Sequence, residues 1–262
     1  MPKHVFTWIA ATACLSALVL PAAAESPKFK ADPPASILTP DEMNTSVGKL
    51  RFKDGAPDAD TVKLAFDQLD LGRGIETFMK GMPATSVYAA CAGIASAGAK
   101  ENEGVGITSQ LMDARSLFLT PNTTTPYVFS CLNLTAGPMV VEVPPGVLGP
   151  VDDAYFRWVV DVGLTGPDKG QGGKYLFLPP GYEGEAPATG YHVVKSPTNR
   201  LLIFYRAFVK DGDLAGAVDG VKQHARLYPL SAAANPPPTT FVDTSGMQFN
   251  TISANGFSFF EI

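Results

Sequence analysis

The hydrophobic pattern changes near residue 104 and divides the chain into a helical part and a strand-rich part. Before that point, apolar residues recur at helical spacing, first through Val62, Phe66 and Leu69 and then along residues 84–97. Pro83 precedes the second stretch, where a helix tolerates proline in its first turn. The pattern therefore predicts a helical module over residues 58–103, with one helix ending before Pro83 and another starting there.

After residue 104, short runs of β-branched and aromatic residues alternate with Gly and Pro turns. Because the runs follow one another without an intervening helix, antiparallel pairing is favoured. The predicted strands cover residues 127–134, 139–143, 154–164, 174–178, 192–196 and 201–209. A covering helix is predicted near 213–227 and an extended segment over 235–262. The expected fold class is α+β, with N-terminal helices followed by a mainly antiparallel β-sandwich or jelly-roll-like domain over 104–234.

The N-terminus has the layout of an export signal. Weakly basic residues precede an apolar run over 5–20, which ends at Pro21 and three alanines. This run is shorter than the roughly 20 residues that a spanning helix needs. We therefore predict a signal peptide over 1–24, cleaved after Ala24, a periplasmic or secreted protein and no stable membrane span after cleavage. A membrane anchor and a lipid-modified Cys14 are the alternatives. Residues 25–57 are predicted to be a Pro-rich leader with one helical turn near 41–49.

Composition removes several classes of function. The net charge is −5 and no Lys or Arg run occurs, which argues against nucleic-acid binding. After cleavage only His192 and His224 remain, and neither a zinc motif nor a hydrolase elbow is present, so no metal or cofactor is expected. Cys91 and Cys131 can form a disulfide or remain buried thiols, and their apolar surroundings favour free thiols.

The acids and bases of the strand-rich part concentrate between residues 147 and 182. In a strand over 154–162, alternation puts Phe156 and Trp158 in the core and Arg157 and Asp161 on the wetter face, about 13 Å apart. Solvated surface charges and a binding role are both consistent with that placement. The glycine-rich loop over 166–174 lacks the phosphate-binding pattern, and we interpret it as a flexible hairpin or lid.

Arg206 is the most informative single residue. It lies in LLIFYRAFV, which is apolar on both faces and therefore typical of a strand covered on both sides. A buried guanidinium needs a carboxylate, a ring of carbonyls or an anionic ligand. We predict an ion pair with Asp152, Asp153 or Asp161. Asp152 and Asp153 follow Gly149-Pro150, where turn capping is favoured over catalysis.

Four segments resemble a known bacterial family, domain of unknown function 1254, and the similarity runs from about residue 64 to the C-terminus. They are LMDARSLFLTPNTTTPY (111–127), PPGVLGPVDDAYFRWVVDVGLTGPDKGQGGKYLFLPPGY (144–182), KSPTN (195–199) and SGMQFNTI (245–252). Asn122, Thr125 and Tyr127 match a family pattern in which Thr124 replaces an acid. The resemblance implies a following β-rich module, domain of unknown function 1214, and a shortened form here. It implies architecture and no reaction.

We expect a pocket for a small polar or sugar-like ligand, without nucleic acid. Its candidate residues are Asn122, Tyr127, Asp152, Asp153, Arg157, Asp161, Lys174 and Arg206. A hydrolase-like enzyme with paired carboxylates is one alternative. The other is a structural or assembly module of a larger envelope protein, with a homo-oligomer as its form.

Overall fold

The computed structural model describes residues 33–116 and 122–248. The predicted signal peptide over 1–24 and the last part of the predicted C-terminal segment, 249–262, lie outside these ranges. The chain forms two compact units, Met1–Leu69 and Asp70–Ile262. No helix within the two described ranges combines the length and the apolarity needed to cross a membrane.

The first unit contains a three-stranded antiparallel sheet and the start of a long helix. Strands β1 (Glu42–Thr45), β2 (Gly48–Lys53) and β3 (Ala56–Pro57) pair in sequence order. The prediction of a helical turn near 41–49 is wrong, because those residues form the β1–β2 hairpin and its turn. Thr61 joins the helix start to the sheet by accepting the Arg51 amide at 2.7 Å.

Helix α1 (Ala59–Ser96) runs without a break through Pro83, so the prediction of two helices is wrong. A proline inside a helix costs about 3 kcal/mol through its lost hydrogen bond and its clash with the preceding turn. Burial compensates for that cost, because Val87, Cys91 and Ile94 belong to an apolar cluster directly after Pro83. Here tertiary packing outweighs the local preference of proline for a helix end.

In its described residues the second unit holds two further sheets and one more α-helix, and the combination of helix and strand confirms the predicted α+β class. The elements after α1 are β4 (Gly104–Ile107), β5 (Tyr127–Asn133), β6 (Met139–Val143), β7 (Val147–Asp153), β8 (Trp158–Gly163), β9 (Gly173–Leu178), β10 (His192–Lys195), β11 (Arg200–Ala207), α2 (Leu214–His224), β12 (Arg226–Pro229) and β13 (Thr240–Asp243). One sheet has the order β13-β4-β5-β11-β7-β8 and the other β10-β9-β6-β12. The β9–β10 and β4–β13 pairs are parallel, and the remaining pairs are antiparallel.

The two larger sheets share one hydrophobic core. The six-stranded sheet contributes residues such as Val151 and Ile203, and the four-stranded sheet contributes Val141, Tyr175 and Phe177. Such shared burial of two inner faces is the packing of a sandwich.

Helix α2 covers part of the core with Val218 and Val221. Asp213 caps the helix by accepting the Gly216 amide at 2.8 Å. The prediction of a helix up to residue 227 is too long, because Arg226–Pro229 pairs with β6 as β12.

The opposite face of the six-stranded sheet, called here the outer face, is covered by α1 at one end. Val87 and Ile94 of the helix pack with Phe129 and Leu202 of the sheet. A disulfide joins Cys91 to Cys131 within this contact, so the preference for free thiols is wrong. The small residues around Cys91 allow a close helix–sheet approach, which brings the two sulfur atoms together.

Candidate functional site

A cavity of about 400 Å³ lies on the outer face of the six-stranded sheet. Its described lining residues come from four strands and two loops and are Tyr127, Leu148, Gly149, Pro150, Phe156, Asp161, Thr165, Phe204, Tyr205 and Arg206. Three of the sequence-predicted site residues, Tyr127, Asp161 and Arg206, are among them. The cavity therefore combines aromatic rings with one acid and one guanidinium.

Strand register explains how distant residues meet in this cavity. Arg206 of β11 lies between Tyr127 of β5 and Leu148 of β7, and Pro150 of β7 lies opposite Asp161 of β8. In antiparallel strands, directly opposed residues share a face. The outer face thus carries an apolar floor with Arg206 in one row and Asp161 in the next.

Gly149 has a packing role beneath the cavity. A Cβ added there would lie 2.2 Å from the Phe204 carbonyl oxygen and 2.4 Å from the Tyr205 Cα. Only glycine permits that approach of β7 to β11. Gly-Pro is also a common turn signal. The sequence therefore indicates a turn within residues 147–153, although they form a strand.

Aromatic rings form one wall of the cavity. Tyr127 stacks with Phe129 at 5.9 Å and with Phe204 at 6.3 Å between ring centroids. The Tyr127 hydroxyl accepts hydrogen bonds from the Asn122 main-chain and side-chain nitrogens, both at 3.1 Å. Asn122 also accepts the Thr125 amide at 2.9 Å. Asn122 therefore fixes the segment that leads into β5 and holds the ring of Tyr127.

Arg206 makes none of the ion pairs predicted for it with Asp152, Asp153 and Asp161. Among residues 33–116 and 122–248, its guanidinium donates no hydrogen bond and forms no ion pair. It is also only partly buried, because a cavity rather than protein lies above this end of β11. The prediction fails because an apolar pattern on both faces of a strand does not show how far along the strand other parts of the protein cover it.

Asp161 keeps a carboxylate oxygen available to the cavity. Its Oδ1 accepts a hydrogen bond from the Trp158 indole nitrogen at 2.9 Å. Within the described ranges, no other hydrogen bond to its carboxylate is present. Both charged residues of the cavity, Asp161 and Arg206, thus retain unused hydrogen-bonding capacity.

Asp153 and Arg157 satisfy each other at the β7–β8 turn, outside the cavity. The fully buried Asp153 carboxylate accepts the Tyr155 amide at 2.8 Å, the Arg157 amide at 3.0 Å and Arg157 Nε at 2.8 Å. Burial acts to raise the pKa of Asp153, but these hydrogen bonds and the Arg157 charge outweigh it and lower that pKa.

The Asp153 turn also corrects the predicted strand over 154–164. Residues 154–157 form the turn and β8 begins at Trp158. Phe156 has φ 59° and is 52% exposed, and Trp158 is 66% exposed, so their predicted core positions are wrong. The alternation fails because the chain turns where a continuous strand was assumed.

Asp152 lies opposite Leu202 and is 6% exposed. Burial, followed by the negative charges of Asp153 and Asp161, raises the pKa of Asp152 to about 6. Asp152 therefore holds a proton under mildly acidic conditions, close enough to Asp161 for their charges to interact.

Lys174 does not reach the cavity. It lies on β9 of the four-stranded sheet and pairs with Glu142 at 3.0 Å. The preceding glycine-rich loop is built around buried Asp168, which accepts the Gly163 amide at 2.8 Å, the Gly172 amide at 3.0 Å and the Tyr175 hydroxyl. These hydrogen bonds hold the loop in a turn, and the flexible hairpin or lid that its glycine content indicates stays a prediction.

Several residues that line the cavity were not identified from the sequence. Phe204 is two positions from Arg206, and strand alternation places it on the same face. Leu148 and Pro150 could be found only after recognising β7 as a strand. In the two ranges described, no cluster of three or more His, Cys, Asp or Glu side chains that could hold a metal ion occurs.

Comparisons with known proteins give a family match and a distant structural likeness. A family model described as "Protein of unknown function (DUF1254)" matches residues 103–229. The crystal structure of the VPA0106 protein from Vibrio parahaemolyticus is 19% identical, with a TM-score of 0.47. The alignment covers 62% of this chain and 40% of that one, so the chain spans less than half of that protein. No curated protein matches the chain. Residues 103–229, which contain all the strands that line the cavity, thus match the DUF1254 family model, as the sequence resemblance predicts.

Proposed function

We propose that the outer-face cavity binds a small polar, sugar-like ligand. The observation that carries this proposal is that Arg206 and Asp161 line one cavity without forming an ion pair with each other. Charged groups in a partly enclosed site lose hydration and need partners. A ligand with hydrogen-bonding groups at both ends supplies those partners.

The aromatic rings support a ring-shaped ligand. Tyr127 and Phe204 stack side by side, and Phe156 stands at the exposed edge. Flat apolar faces combined with a few polar groups are typical of small-molecule sites, and aromatic rings pack well against the C–H face of a sugar. A volume near 400 Å³ suits one or two sugar rings.

A thermal-shift panel tests the proposal. The panel contains neutral monosaccharides, sugar acids, sugar alcohols and amino acids, each applied to the wild type, Arg206→Gln and Arg157→Gln. We expect a stabilising compound whose effect is lost in Arg206→Gln. Arg157→Gln is the matched control, since that arginine pairs with Asp153 away from the cavity. A panel without any hit, or a hit retained by Arg206→Gln, contradicts the proposal.

A hydrolase is the second candidate function, and Asp152 favours it. Its raised pKa of about 6 and its interaction with Asp161 give one carboxyl that holds a proton beside one that accepts hydrogen bonds. Glycosidases use an acid and a base or nucleophile in this way. Release of 4-nitrophenol from nitrophenyl glycosides by the wild type, abolished in both Asp152→Asn and Asp161→Asn, is the expected result. Activity that survives either substitution rejects this mechanism.

Export to the periplasm or beyond is part of the same proposal. The Cys91–Cys131 disulfide supports it, because disulfides persist mainly in oxidising compartments. The basic start and apolar run before Ala24 support it independently. Fractionation of cells that express the full chain should recover a shortened protein outside the cytoplasm. Recovery of the uncleaved chain in the cytoplasm would contradict export.

A further inference from the structure

We propose that the ligand is a sugar acid whose carboxylate binds Arg206 and whose hydroxyl groups donate to Asp161. This inference rests on the proposed function and names its ligand class. The surroundings of the two charged side chains and the distance between them determine which ligand the cavity can hold.

The surroundings of Arg206 favour an anion. Its neighbours across the sheet, Tyr127 and Leu148, carry no charge. Asp153 pairs with Arg157, and Asp161 lines the cavity without forming an ion pair with Arg206. In the described part of the chain, the guanidinium therefore has no carboxylate partner. A hydroxyl group would leave its charge uncompensated.

A carboxylate matches the guanidinium in shape as well as in charge. Two parallel N–H groups of arginine meet the two carboxylate oxygens in a bidentate pair, which is stronger and more directional than a bond to a neutral group. Because Arg206 is only half-buried, its charged end lies within reach of a ligand in the cavity.

Asp161 sets the chemistry of the other end. Its carboxylate accepts hydrogen bonds and repels a second anionic group, so the ligand must present donors there. Asp161 and Arg206 lie two strands and two residues apart in the register, which places their Cα atoms about 12 Å from each other. One sugar ring with a terminal carboxylate can bridge side chains that converge from this separation.

The apolar surface between the two charges favours a ring over an open-chain acid. Leu148 and Pro150 of β7 lie between the strands that carry Arg206 and Asp161, and Phe204 lines the cavity beside them on β11. A pyranose ring can lie against them with its C–H face while its polar edge spans Arg206 and Asp161. Uronic acids combine all three features.

Calorimetry with a matched pair of sugars tests the inference. D-galacturonate and D-galactose differ only at the carboxylate, and wild-type protein should bind the acid at least about tenfold more tightly. Arg206→Gln should reduce the preference to within about twofold, because only the ion pair distinguishes the two sugars. Arg157→Gln should leave the preference intact. The sugar acid can be a free monomer or part of an acidic polysaccharide, and trigalacturonate distinguishes the two. Tighter binding of trigalacturonate than of the monomer indicates the polysaccharide, and equal binding indicates the free acid.

Each other outcome overturns a defined claim. Equal binding of both sugars overturns the sugar-acid inference but leaves the cavity as a sugar site. Binding of neither sugar also overturns the sugar-acid inference. The thermal-shift panel then decides whether the proposed function holds. A preference for the acid that persists in both Arg206→Gln and Arg206→Lys assigns the carboxylate to another residue.

Discussion

Asp153 and Arg157 satisfy each other at the turn between β7 and β8, whereas Asp161 and Arg206 face one cavity without meeting. Both pairs contain the same residue types, and all four residues stood out in the sequence. The difference is that every Asp153 oxygen is used within the protein, while Arg206 has no partner among the described residues. The number of partners, rather than the number of charges, separates this structural pair from the proposed binding pair.

The largest expected effect is on stability, at Asp153. Asp153→Asn removes the ion pair with Arg157 and weakens the hydrogen bonds that hold the turn. We expect the free energy of unfolding to fall by about 2 kcal/mol, the range for a buried, multiply bonded carboxylate. Urea denaturation at pH 7 measures this change. A loss below about 0.5 kcal/mol would contradict the structural role of the Asp153–Arg157 pair.

Asp152 should show a pH-dependent effect. Its folded pKa of about 6 lies above the unfolded value near 4, so the folded state binds an extra proton between these values and wild-type stability falls as pH rises through that window. Asp152→Asn removes this loss of stability and should stabilise the protein by about 1 to 2 kcal/mol above pH 7. This is less than the whole pKa shift corresponds to, because solvent screens part of the interaction. Below pH 4 the difference should vanish.

Thermal unfolding followed from pH 4 to pH 8 checks the Asp152 prediction. Asp219→Asn is the matched control, because it makes the same change of residue type at an exposed position on α2. A wild-type and Asp152→Asn difference that is independent of pH would show that Asp152 is not the titrating group.

Arg157→Gln should destabilise the protein less than Asp153→Asn. The arginine side chain is 64% exposed, and the Tyr155 and Arg157 amides still bond Asp153 after the substitution. The melting temperatures of the two variants measured side by side test the order. The reverse order would mean that the guanidinium, rather than the main chain, holds the turn.

The smallest stability effects are expected at the cavity. Arg206→Gln and Asp161→Asn should each change the free energy of unfolding by less than about 0.5 kcal/mol, since neither charge forms an ion pair within the described chain. Both should still reduce ligand binding. A larger loss of stability in Arg206→Gln would show that the guanidinium has a structural partner, as that of Arg157 does.

Much of the sheet could be predicted because its strands carry regular apolar patterns. Met139–Val143 was predicted to the residue and Tyr127–Asn133 to within one. β7 could not be found, because Gly149-Pro150 signals a turn unless the close packing against Phe204 is known. The uninterrupted α1 and the β1–β2 hairpin were missed for a related reason: tertiary contacts overrode local preferences.

The candidate site was partly predictable. Residue type and strand context singled out Asp161 and Arg206, but which face each side chain occupies depends on register. A bulge between Val151 and Asp152 and the turn over 154–157 shift that register, and neither leaves a clear sequence signal. Lys174 and Arg157 lie near these residues in sequence and away from the cavity in the fold.

A crystal structure of the protein with D-galacturonate tests the central claim most directly. The account predicts the sugar in the outer-face cavity, with its carboxylate bidentate on the Arg206 guanidinium at about 2.8 Å. It also predicts a sugar hydroxyl donating to Asp161 and the ring against Leu148, Pro150 and Phe204. Sugar bound elsewhere, an empty cavity at saturating sugar, or a carboxylate directed away from Arg206 would contradict it.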